Sequence, residues 1–261
     1  MSLMLVAMPR QSVRSGFFRV QMLILLGLSV LAGLAISSIG AAPPNPAFEV
    51  TPRFSEPALP DAAAWSQSAR IYGCAAMAGL AFLGSVLWTL ERRNAGTVLL
   101  WLILLASLGL LWAAPLLGTA NSGSGAFLAR IAEAARAAVL GAAMIGMLLG
   151  HSYLTAPAMS ITPLSRVNWY LGGAVVCRGI LSAIALASAG PELTGATYGM
   201  WLTLRWLAGV LGPLVACAMV ARILKYRNTQ AATGVLFVAV ILTFIGELTA
   251  SLLFQDLHVP L

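Results

Sequence analysis

Two glutamates and three arginines stand inside apolar stretches of this 261-residue chain: Glu133, Arg136, Arg178, Arg205 and Glu247. Charge in a bilayer core is costly, so residues of this kind pair with one another or line a functional cavity. Arginine stays charged and presents a planar fork that matches a carboxylate or a phosphate. Three arginines against two glutamates leave a formal excess of one positive charge. Two uses fit that set. One is a buried ion-pair network that pins helices together. The other is a polar pocket that binds or moves a small anionic or amphiphilic ligand. Glu133 and Arg136 are three residues apart, which puts them on one helix face and within pairing reach.

The elements that carry these residues are membrane helices. The chain is 60% hydrophobic and 9% charged, with a mean hydropathy of +0.91, where soluble domains carry about 25% charged residues. Apolar runs of about 20 residues, enough to cross about 30 Å of hydrocarbon, recur along its length. They predict an all-α, polytopic helical bundle forming a single membrane domain over residues 1–261. Its seven spans are 20–39, 71–90, 97–117, 129–150, 169–187, 199–224 and 233–254.

Arginine placement predicts the orientation. Arg10, Arg14, Arg19, Arg92, Arg93, Arg166, Arg222, Lys225 and Arg227 fall on one side, against Arg53, Arg70 and Arg130 on the other. The excess marks the cytoplasmic side. Residues 1–19 are then a cytoplasmic tail, the C-terminus is outside, and the setting is a bacterial-type plasma (inner) membrane. A rival reading makes the first span a signal peptide, with a small-residue cleavage zone at Ser38–Ala42, which would leave six spans. Residues 41–67 hold Pro43, Pro44, Pro46, Pro52, Pro57 and Pro60 and read as an extended outer loop. Asn121–Gly125 reads as a flexible outer turn.

In this topology, at a rise of about 1.5 Å per residue, Glu133, Arg136, Arg205 and Glu247 lie one to two turns below the outer surface, with Arg178 just beneath them. Their matched heights predict that Glu247 pairs with Arg205 or Arg136. Thr243, Gly246 and Ala250 share the face of Glu247, and Gly209, Gly212 and Ala216 share that of Arg205; small residues of this kind let helices approach closely. Pro213 removes a backbone hydrogen bond and predicts a kink. At the opposite, inner end, His151 and Tyr153 form a second polar candidate, able in principle to relay protons or contact a quinone head group.

Other classes are disfavoured. Fourteen of the fifteen basic residues are arginine and most flank spans, a topological pattern rather than a nucleic-acid surface. Cys74, Cys177 and Cys217 each sit in an apolar run without metal spacing, and His151 and His258 are too few for a haem held between helices. No P-loop, nucleophile elbow or zinc motif occurs, and the last span lacks a lysine for a retinal Schiff base. No cofactor and no metal are expected. The expected partners are the lipid bilayer, a small anionic ligand, or the subunits of a larger membrane complex, for which the chain would be a structural or accessory component. A membrane enzyme built around His151 is the third alternative.

Overall fold

The computed structural model describes residues 1–8, 13, 15–41, 60–113, 123–155, 159–188 and 196–257. Among the described residues every regular element is a helix. These are α1 (Ser2–Ala7), α2 (Ser15–Ala41), α3 (Pro60–Thr89), α4 (Arg93–Ala113), α5 (Gly123–Thr155), α6 (Thr162–Ser188), α7 (Ala196–Trp206), a π-turn (Leu207–Leu211), α8 (Gly212–Lys225) and α9 (Thr229–Leu257). Seven helical stretches are long and apolar enough to cross a membrane: 15–38, 67–89, 93–112, 127–155, 162–187, 199–225 and 229–254. The chain is a multi-pass, all-helical membrane protein.

Several boundaries differ from those expected. Residues 60–67 are helix rather than loop, because Pro60 occupies the first helical position, where its missing N–H costs nothing. Helix α5 begins at Gly123, inside the expected turn, and α6 begins at Thr162, seven residues before the expected span. Hydropathy marks where hydrocarbon contact begins, whereas the backbone keeps its helical hydrogen bonds through the flanking polar residues. The stretch 1–19 is no free tail: α1 buries Met4 and Leu5, and α2 starts at Ser15. The Pro-rich stretch 42–59, the end of the expected third span (114–117) and His258 lie outside the described residues.

The chain forms two compact units. One comprises α2, α3 and α4. Its centre is Phe18 stacked on Trp88, ring centroids 4.3 Å apart. Met22 fills the space over Gly84, and Trp88 covers Gly96. Helices α3 and α4 are joined by a tight turn in which the Arg92 N–H reaches back to the Leu87 carbonyl at 3.1 Å, with Glu91 at φ 54°. A glycine usually takes that left-handed position.

The other unit comprises α1 and α5–α9. Glycines set its packing. Gly150 of α5 lies against Thr233 of α9, and Gly146 lies between Leu236 of α9 and Val167 of α6, so this glycine pair packs within the unit. Gly179 of α6 faces Val210 in the π-turn, and Gly212 faces Leu242 of α9. The closest approach is Gly209 against Gly246, backbone on backbone: a Cβ on Gly209 would lie 3.0 Å from the Gly246 Cα, and one on Gly246 would lie 2.7 Å from the Gly209 nitrogen. Asn168 donates to the Cys217 carbonyl at 3.0 Å, tying α6 to α8. Asn228 caps α9 by accepting the Ala231 N–H at 3.0 Å.

Candidate functional site

The five charged residues singled out in the sequence meet at one end of the second unit. Glu133 and Arg136 come from α5, Arg178 from α6, Arg205 from α7 and Glu247 from α9. Glu133 and Arg205 each stand six residues inside their span's end at this face, Glu247 seven and Arg178 nine. At a rise of about 1.5 Å per residue these are depths of about 9–14 Å.

Glu247 is the hub. Arg178 engages it with two nitrogens, Nε to Oε1 at 3.3 Å and Nη2 to Oε2 at 3.3 Å. Arg136 Nε lies 3.2 Å from Oε2, and Arg205 Nη1 lies 3.2 Å from Oε1. One carboxylate therefore faces three guanidinium groups. The expected pairing of Glu247 with Arg205 or Arg136 is present with both, and Arg178 joins them. Heights counted along the helix placed Arg178 too low, because they left out the reach of an arginine side chain along its helix.

Ser182 is the residue that sequence reasoning missed. Its hydroxyl accepts from Arg178 Nη1 at 3.3 Å and from Arg205 Nη2 at 3.0 Å, and its side chain is buried. It stands four residues after Arg178, on the same helix face. That spacing was the available signal.

The π-turn explains how Arg205 reaches the hub. The Gly212 N–H bonds to the Leu207 carbonyl, five residues back, directly before Pro213. Just before Pro213 the helix takes in one extra residue. Such turns recur at functional sites. The turn presses Gly209 onto Gly246, and the Arg205 guanidinium lies over Gly209 so closely that a Cβ there would overlap Nη1. Two glycines thus bring α9 and α7 near enough for Arg205 to touch Glu247.

Charge balance within the cluster is uneven. Glu133 pairs with Arg136, its Oε1 3.3 Å from Nη1, but the Glu133 side chain is 46% exposed and that of Arg136 25%. An exposed i,i+3 pair contributes about 0.2–1 kcal/mol. Deeper in, Arg178, Arg205 and Glu247 are 2%, 1% and 6% exposed. Removing one partner of such a buried pair typically costs about 3–5 kcal/mol. Among the described residues the buried part therefore has one carboxylate for two enclosed guanidinium groups, with the more exposed Arg136 shared between Glu247 and Glu133. Arg205 Nη1 faces Glu247 Oε1 at 3.2 Å as an ion pair, off the hydrogen-bonding axis, and Arg205 Nε has no acceptor among the described residues.

The second candidate does not converge. His151 and Tyr153 are two apart on α5 and point to different sides: His151 is exposed, while Tyr153 is 1% exposed and donates its hydroxyl to the Ser160 carbonyl. Among the described residues no group of His, Cys, Asp or Glu side chains is arranged to hold a metal. No family model matches the chain, and no curated protein or solved structure does.

Proposed function

We propose that this protein binds a small anion, a carboxylate or phosphate in soluble or amphiphilic form, at the arginine cluster of α5–α9, and that it binds or moves this ligand in a bacterial-type inner membrane. The observation that carries the reading is the convergence of three guanidinium groups on the single buried carboxylate of Glu247, with the half-exposed Glu133 on Arg136 as the second anion of the cluster. A network built only for stability would match its charges, since each uncompensated buried charge is costly. An anion seated against Arg136, the most exposed of the three arginines, is held in the field of Arg178 and Arg205 beside it. The excess of arginines and lysine at the other side of the spans supports an orientation in which this end faces outward.

The test is binding of three probes, inorganic phosphate, octanoate and octyl phosphate, to the protein in phosphatidylcholine nanodiscs. At least one is expected to raise the thermal unfolding midpoint. Arg136→Gln, which leaves the buried pairs of Arg178 and Arg205 with Glu247 in place, is expected to weaken binding tenfold or more, about 1.4 kcal/mol. If none of the three probes moves the midpoint at millimolar concentration, the reading fails.

A second reading, an accessory subunit of a larger membrane complex, draws on α2, whose most apolar window is only 17% buried within the chain. Stoichiometric partners co-purifying in mild detergent support it, and a stable lone monomer argues against it.

A further inference from the structure

The two carboxylates of the cluster are not equivalent. Glu247 is enclosed and touches three guanidinium groups. Glu133 is half exposed and touches one. Arg136 bridges them, its Nε on Glu247 and its Nη1 on Glu133. Exposure falls from 46% at Glu133 to 25% at Arg136 and then to a few per cent at the other three, so the cluster opens towards Glu133. Both ends of the Glu133–Arg136 pair lie on α5, and breaking it moves no helix against another.

Resting on the anion-binding reading above, we propose that Glu133 is a displaceable counter-ion at the mouth of the site. The incoming carboxylate or phosphate takes the edge of Arg136 that Glu133 holds, and Glu133 turns out into water. Glu247 stays in place and keeps Arg136 oriented through its Nε. The arrangement fits a carboxylate or phosphate oxygen, since the Arg136 Nη1 it takes is the one a carboxylate oxygen of Glu133 already holds. In the empty site Glu133 screens Arg136. It repels a second anion and must leave before one can bind, which makes it a specificity and rate element rather than a binding residue. Its level, about 9 Å from the end of the span, suits a free anion or the phosphate of a lipid head group equally well.

The experiment compares the wild type, Glu133→Gln and Arg136→Gln in nanodiscs, with two arms. Inorganic phosphate is titrated in phosphatidylcholine discs, and phosphatidate retention is measured in discs containing a fraction of that lipid. Removing the competing carboxylate is expected to tighten binding about three- to tenfold, the size of an exposed ion pair plus the like-charge repulsion it exerts. Arg136→Gln is expected to lose binding in the same arm. A response to phosphate identifies a soluble anion, and a response to phosphatidate alone identifies a head group. If the wild type binds but Glu133→Gln binds equally or more weakly, the counter-ion role is overturned and the anion site stands. If neither the wild type nor Glu133→Gln binds in either arm, the anion site itself falls and the proposal with it. Should Glu133→Gln fail to fold, Glu133→Asp serves the same purpose: its carboxylate is one methylene short of Arg136, and it carries the same sign with a smaller change.

Discussion

Helices α2–α4 meet through large apolar side chains. In α5–α9 the helices meet through glycine, and charge occupies the space thereby opened. In the first unit Phe18 stacks on Trp88 and Met22 covers Gly84, while the most apolar windows of the three spans are 17%, 33% and 28% buried. In the second unit the four windows are 44%, 33%, 44% and 44% buried, and their centre holds Arg178, Arg205, Ser182 and Glu247. Bulky side chains gain dispersion contacts that lipid tails supply nearly as well. Glycine contacts bring backbones together and leave room for a few long polar side chains. The unit of α5–α9 thus encloses charge, and that of α2–α4 encloses apolar side chains.

The largest expected effect comes from the hub. Glu247→Gln keeps the volume and removes the one carboxylate that Arg136, Arg178 and Arg205 share. It is expected to cost about 3–5 kcal/mol of stability, far more than Glu49→Gln in the 42–59 stretch, in thermal unfolding followed by circular dichroism in detergent. Equal midpoints for the two variants would break the comparison at its centre.

One substitution made in both units then separates them by sign. Gly246→Ala drives a methyl into the Gly209 backbone and is expected to cost about 1–3 kcal/mol or more. Gly79→Ala, on α3 with open space around it, is expected to add a few tenths to about 1 kcal/mol from helix propensity. A loss at both positions would mean that the apolar unit also depends on close backbone contact.

Ser182→Ala removes the acceptor shared by Arg178 and Arg205 and is expected to cost about 1–2 kcal/mol, while Ser37→Ala, on an exposed hydroxyl of α2, should cost almost nothing. The smallest change is expected in the α8–α9 turn. Arg227 sits at φ 57°, a strained position for a side chain with a Cβ, and Arg227→Asn should stabilise by at most about 1 kcal/mol.

Much of this was legible in the sequence. Seven apolar runs announced the helices, and all five charged residues of the cluster could be named, four of them brought to one level from topology alone. The pairing of Glu247 with Arg205 or Arg136 came from equal depth along antiparallel helices. Arg178 and Ser182 were harder, because depth counted along the backbone omits how far a side chain extends along its helix. Helix ends were misjudged wherever polar residues continue a helix beyond the hydrocarbon, as at Thr162 and Pro60. The π-turn left only indirect traces, Pro213 and the glycines at 209 and 212, since hydropathy is the same for an α and a π hydrogen-bonding pattern.

That turn has a consequence in genetic terms. A π-turn holds one residue more than the α-turn it replaces, so Leu207–Leu211 corresponds to a single codon inserted into an otherwise regular helix. One in-frame deletion there would restore the α pattern and rotate α7 against α8 by about 100°. Arg205 would then swing off Glu247 and out of the core, while every charged residue stayed as it is. The constellation of charges is encoded in the spacing of this helix as much as in the identity of its residues. A change of length there reaches the hub without altering any of the residues that form it.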